Sequence, residues 1–332
     1  PTCDTCSVSL ARIQAFGRLE DEFALGFMDW KTAAVSGTGG LYVGLMHHPG
    51  WIAEYDSSGA GAVLCAEPGQ GPAELGTIGA MIWRPARPLW VFHSGRVSEV
   101  SAQGDVTQLG RLSATLDDIA FLANGNVAVS GSLADPAVFG HRVHEIDSNL
   151  RVVRSFDRVQ QTGQTNPWDF FRVIGASPRG GLWVAQMNEY SLSYWVEGEE
   201  NLTLERDADL FRPWRKQPEG SPFRTRPNPI LSDLIEDEKG RLWVLISVPS
   251  ESWEPVPRPR LGDVGAVQGR VVTVIEVISV EDGAVITRGV SPVNMKKFLA
   301  PGLALSVEET DSGLIRLVTW KLGIRHDSGG GQ

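Results

Sequence analysis

Five times in this chain a turn ending in Gly or Pro leads straight into a short apolar run: Gly40-Leu41-Tyr42-Val43, Pro88-Leu89-Trp90-Val91, Gly125-Asn126-Val127-Ala128-Val129, Gly181-Leu182-Trp183-Val184 and Gly240-Arg241-Leu242-Trp243-Val244. A sixth, degenerate copy is Gly313-Leu314-Ile315-Arg316-Leu317. Recurrence of this kind constrains a fold more than any local motif, because each unit must bury its apolar face against a neighbour.

The surroundings of each copy repeat as well. An apolar segment precedes the turn at hairpin distance, as in Asp118-Ile119-Ala120-Phe121-Leu122, Arg172-Val173-Ile174 and Asp233-Leu234-Ile235. A third segment of alternating apolar and polar residues follows: Ile52-Ala53-Glu54-Tyr55, Val97-Ser98-Glu99-Val100, Val143-His144-Glu145-Ile146 and Val274-Ile275-Glu276-Val277. Asp, Ser, Asn or Gly then turn the chain into a fourth, such as Val106-Thr107-Gln108-Leu109. Four antiparallel strands repeated around an axis make a blade, so the expected fold is an all-β six-bladed propeller. The spacing is uneven, from 38 residues between Val91 and Val129 to 60 between Val184 and Val244, which disfavours a regular solenoid.

One domain is expected over residues 1–324, with insertions at about 207–228 and 249–269 and a flexible tail at 325–332. Too little chain follows Leu303 for four strands. A strand at about 7–13 (Ser7-Val8-Ser9-Leu10-Ala11-Arg12-Ile13) is therefore predicted to complete the last blade, removing the open edges both would expose. The 37 Gly and 20 Pro leave little room for long helices.

A net charge of −10 argues against a nucleic-acid binder, which needs surplus Lys and Arg to neutralise phosphates. No run of eighteen apolar residues is present, so no transmembrane segment is expected. The sequence opens Pro1-Thr2-Cys3 without Met, and the expectation is that an upstream segment, such as a signal peptide, has been removed. Cys3 and Cys6 form a C-x-x-C pair followed by Ser7, where haem attachment needs His, and no second pair completes a zinc site. A local disulfide or free thiols at a tethered end is expected; a lipidated N-terminus or one disulfide-bonded to a partner is the alternative. Cys65 reads as a small buried residue.

Taken together, the pattern resembles the extracytoplasmic six-bladed propellers of bacteria related to the NHL-repeat group. Gly69-Gln70-Gly71-Pro72-Ala73-Glu74-Leu75 is similar to that group's G-x-G-P-G-E-F turn, with Ala73 and Leu75 as departures. The resemblance implies the fold and a periplasmic or outer-face location; few members have an assigned activity.

Propeller hydrolases of the lactonase or esterase kind hold a divalent cation such as Ca²⁺ in the channel with acidic side chains. Asp29, Asp117, Asp118, Asp169 and Asp233 all stand near the starts of first strands, and Asp118 and Asp233 share one register, which makes them the metal candidates. His47 and His48 are expected on a loop rim, facing opposite ways. Trp90, Trp183 and Trp243 occupy one second-strand position in three units and are expected to pack between blades.

Around the fifth unit lie two Pro-rich insertions carrying Arg212, Trp214, Arg215, Lys216, Phe223, Arg224 and Arg226, then Trp253, Arg258 and Arg260. Trp and Arg are the types enriched at binding hot spots, and long loops in compact domains are commonly functional. These ten residues are the predicted partner-binding set. No G-x-S-x-G, H-E-x-x-H or P-loop pattern occurs, and no catalytic residues are assigned. The expectation is a non-enzymatic binding or scaffold propeller, an accessory subunit docking a protein partner in a larger membrane-associated complex of, for example, the respiratory or photosynthetic kind. The alternatives are a metal-dependent lactonase or esterase and a periplasmic sensor or carbohydrate-binding module.

Overall fold

The computed structural model describes residues 3, 6–21, 23–26, 29–36, 39–66, 68–69, 71–84, 87–159, 170–206, 226–254 and 270–326. Their strands form six four-stranded antiparallel sheets, the blades of one all-β propeller. In blades one to five the chain steps outward from the channel to the rim. The inner strands are Ala34–Val35, Ile78–Ile82, Ala114–Phe121, Arg172–Ser177 and Ile230–Glu236. The second strands, Leu41–Gly44, Leu89–His93, Val127–Leu133, Gly181–Gln186 and Arg241–Pro249, fall on the five sequence repeats.

Blade six differs. Its inner, second and third strands are Met295–Ala300, Leu303–Glu309 and Ile315–His326, and its outer strand is Cys6–Phe16 from the N-terminus. The predicted closure of the ring is thus present and longer than expected, paired from Cys6 with His326 to Phe16 with Leu317. Two details depart from the sequence reading. Gly313-Leu314-Ile315 leads into the third strand of this blade, not the second, and the inner strand Met295–Ala300 was overlooked because a bulge between Met295 and Lys297 breaks its alternation. The third strand also runs to His326, past the expected start of the tail; residues 327–332 lie outside the described residues.

Because strand direction alternates, the two faces of the disc receive different connections. The turns between first and second strands, and those from third to outer strands, emerge on what we term the hairpin face. Loops from second to third strands, and the links between blades, emerge on the opposite, insertion face.

Apolar side chains pack between neighbouring blades. Trp90 lies among Val127, Val129 and Ile146 of the next blade, Trp183 among Leu231 and Leu234, and Trp243 against Met295 and Phe298, as expected from their shared position. All three are buried, and burying an indole N–H calls for an acceptor. A carboxylate supplies it each time: Glu99 for Trp90 (2.9 Å), Glu236 for Trp183 (2.7 Å) and Asp237 for Trp243 (3.0 Å). An Arg closes each clamp. Arg84 pairs with Glu99 at 2.8 Å, Arg179 with Glu236 at 2.6 Å and Arg241 with Asp237 at 2.6 Å. These clamps sit at the hairpin face, and that of Glu236 ties blade five to blade four.

Candidate functional site

Four of the inner strands carry the same irregularity. Their registers shift between Ile78 and Ala80, Leu116 and Asp118, Leu231 and Asp233, and Met295 and Lys297. A bulge re-aims the side chain that follows it, so Ala80, Asp118, Asp233 and Lys297 occupy one structural position in blades two, three, five and six. In blade three Gly131 makes the bulge possible: its φ is 138°, and a Cβ there would collide with the Thr115 carbonyl.

Asp118, Asp233 and Lys297 consequently line the central channel with residues of all six inner strands. The structure thereby brings the two predicted metal candidates into one cavity and adds a lysine that the sequence reading missed. Each charged group joins its own blade to the next. Asp118 accepts the N–H of Ile119 (2.8 Å) and, across the gap, that of Ile174 in blade four (2.9 Å). Asp233 accepts the N–H of Leu234 (2.8 Å) and that of Phe298 in blade six. Lys297 donates to the Ala33 carbonyl beside blade one at 3.2 Å. Gly175 lets the strands close up, since a Cβ there would strike the Leu234 carbonyl.

Burial pushes both carboxyls above the usual range, and for Asp233 the charge of Asp118 adds to the rise, while Lys297 opposes it for both. Among the described residues no third carboxylate, imidazole or thiol joins the pair closely enough to complete a three-ligand set. The cavity measures ≈ 230 Å³, below the roughly 300–1,000 Å³ of ordinary ligand pockets. The two carboxylates stitch neighbouring blades through backbone N–H groups.

The other aspartates are engaged elsewhere. Asp29 is buried, accepting the N–H groups of Gly26 (2.7 Å) and Met46 (3.0 Å), and bracing the link into blade one. Burial raises its pKa. Asp117 sits at the bulge and pairs with Arg142 at 3.1 Å. Asp169 lies outside the described residues. His47 and His48 are on an exposed turn of the insertion face, with His48 stacked on Trp51 at 4.9 Å between ring centres. The turn around Gly69 and Leu75 is structural: Arg96 donates to the carbonyls of Gly71 (3.1 Å) and Gly69 (3.3 Å), and Leu75 is buried.

Of the predicted partner-binding residues, Arg212, Trp214, Arg215, Lys216, Phe223, Arg224, Arg258 and Arg260 lie outside the described residues. Arg226 is exposed and Trp253 half-buried. The roots of the two insertions meet. Arg226, Pro229, Pro249, Glu251, Val272 and Val290 are among the residues lining a single cavity of ≈ 490 Å³ on the insertion face. The second root is pinned by Ser250 N–H to the Arg270 carbonyl (2.8 Å) and by the Arg270 guanidinium to the Glu254 carbonyl (2.5 Å). At its edge Val290 is 64% exposed.

Comparison of the sequence with protein-family models and with curated proteins finds no match. Solved structures do resemble the fold. A member of the DUF4221 family from Bacteroides vulgatus aligns over 96% of this chain and 99% of its own at 12% identity and a TM-score of 0.59. A gluconolactonase from Xanthomonas campestris aligns over 97% and 96% at 15% identity and a TM-score of 0.51. A luciferin-regenerating enzyme aligns over 97% and 98% at 12% identity and a TM-score of 0.52. At such identities the likeness establishes the six-bladed propeller, the fold expected from the resemblance to bacterial propellers, and carries no activity with it.

Proposed function

We propose that this chain is a non-enzymatic binding propeller whose insertion face docks a protein partner, as an accessory subunit of a membrane-associated extracytoplasmic assembly. The observation that carries this reading is the convergence of both insertion roots on one open cavity, while the channel carboxylates are committed to inter-blade hydrogen bonds. A cavity of this size with an exposed valine at its edge accepts an apolar side chain. Arg226 lines it, and the insertion sequences carry further Trp and Arg, the types enriched at binding hot spots. A Cys3–Cys6 disulfide supports an oxidising compartment.

The test replaces residues 208–225 with a short Gly-Ser linker and compares proteins that co-purify with the variant and the wild type from native membranes. Loss of one specific partner, with unchanged thermal unfolding, is the expected result. Retention of every partner would remove the reading. Lactone or ester hydrolysis that disappears in Asp118→Asn or Asp233→Asn would replace it with the hydrolase.

A further inference from the structure

The C-x-x-C pair acquires a third member only through the ring closure. Cys6 begins the outer strand of blade six and stands directly opposite His326, near the end of the third strand. The Nδ1 of His326 lies 3.3 Å from the Cys6 sulfur and 3.7 Å from the Cys3 sulfur. Of the described His, Cys, Asp and Glu side chains, these three are the one set whose ligand atoms gather within 4.8 Å of one another. The set lies at the hairpin-face end of the closing strand, on the opposite face from the insertion roots.

In the structure the two sulfurs are joined to each other. We propose that Cys3, Cys6 and His326 form a redox-gated zinc site: in the dithiol state the two thiolates and the His326 Nδ1 hold one Zn²⁺, with a water completing the tetrahedron. The sulfur–nitrogen distances fit that assignment, while the two sulfurs, bonded to each other here, must move apart on reduction. Zn–S bonds of about 2.3 Å and Zn–N bonds of about 2.0–2.1 Å around a tetrahedral ion set sulfur and nitrogen about 3.5 Å apart, between the two separations seen. Two thiolates and one imidazole also form a soft, borderline donor set of the kind that selects zinc over Ca²⁺ or Mg²⁺. Disulfide and metal exclude each other, because each state uses both sulfurs.

Conversion takes two electrons. Two equivalents of a thiol reductant break the S–S bond, give their protons to the two cysteine sulfurs and leave as their own disulfide; a phosphine instead leaves as its oxide, with one water supplying the oxygen and both protons. Zinc binding then releases both thiol protons as the two Zn–S bonds form. Cys65, buried in blade one, takes no part. Substitution at Cys6 spares the strand's anchorage, since its backbone carbonyl accepts the Thr287 hydroxyl at 2.9 Å.

The experiment uses untagged protein, oxidised or reduced with a phosphine, titrated with Co²⁺ and then Zn²⁺. The reduced wild type is expected to bind one equivalent of Co²⁺ with a thiolate-to-cobalt charge-transfer band and intense tetrahedral d–d bands, which Zn²⁺ abolishes. The oxidised protein is expected to show neither. Cys3→Ser and Cys6→Ser should remove the charge-transfer band or weaken binding by about a hundredfold, and His326→Ala should weaken it by at least tenfold, with unchanged circular dichroism throughout. Reduced wild type without such a band, or His326→Ala binding as tightly as wild type, would overturn the assignment.

Discussion

The two faces of the disc are built from the same strands and connected to opposite effect. On the hairpin face short turns join the strands, and in blades two, four and five a tryptophan, a carboxylate and an arginine close on one another. The three indole N–H groups there find carboxylate partners, within the repeat in blades two and five and across to Glu236 of the next blade in blade four. The insertion face carries the links between blades, and there the roots of two long insertions enclose an open cavity. The difference teaches that the regular turns of the repeat lock neighbouring strands and blades together, while interruptions of the repeat leave an open cavity, which is where the proposed docking would act.

The sharpest way to break this contrast is at a clamp. Glu236 is fully buried and serves both Arg179 and Trp183 from the neighbouring blade. Glu236→Ala leaves a buried indole N–H without its acceptor and a half-exposed guanidinium without its partner, and is expected to lower unfolding stability by about 3 kcal/mol, read from the urea midpoint. A loss below about 1 kcal/mol would show that the hairpin face is not held by its clamps.

Acid tests the insertion-face end of blade two. His93 is buried, accepts the Gly76 N–H at 3.0 Å and meets the Ser98 hydroxyl at 2.8 Å; burial and nearby Arg96 lower its pKa to about 4. Its folded value lies below the ordinary 6.5, so the unfolded chain binds the proton first. Stability is therefore complete above pH 6.5 and lost as pH falls toward 4, by roughly 3 kcal/mol for this group. Hydrogen exchange across that range should expose the Gly76 amide before the Trp183 indole.

Between the faces lies the channel, where Asp118→Ala removes the acceptor that joins blades three and four. A loss of about 2 kcal/mol is expected, with faster exchange of the Ile174 amide. If stability were unchanged and that amide stayed protected, the stitching role of the bulge position would fail. The smallest effect is predicted at the insertion roots: Arg226→Ala with Trp253→Ala should shift stability by no more than about 0.5 kcal/mol while reducing partner capture. A large destabilisation would mean that these residues belong to the scaffold.

Much of the scaffold was legible because a propeller writes its unit into the chain repeatedly. The five second strands and the shared Trp position follow from local patterns, and those of Asp118 and Asp233 from their common register. The overlooked strand, Met295–Ala300, shows the limit. Its bulge places two lysines side by side, so an alternation search passes over it. The spacing of Leu116-Asp117-Asp118-Ile119 and Leu231-Ser232-Asp233-Leu234, two residues between apolar ones, recurs in Met295-Lys296-Lys297-Phe298 and was the available signal. Of the ten partner-binding residues, only Arg226 and Trp253 lie among those described, at the roots of their insertions.

By itself, then, the sequence determined the class, the blade number and the use of an N-terminal strand to close the ring, since periodic burial and open edges are properties of local pattern. Tertiary structure alone decided what the charged residues do. Asp118 has a backbone partner 56 residues away, and Cys6 a histidine 320 residues away. Closing a ring creates neighbours that sequence distance does not reveal, and at those junctions the carboxylates became stitches and a cysteine pair gained a histidine neighbour.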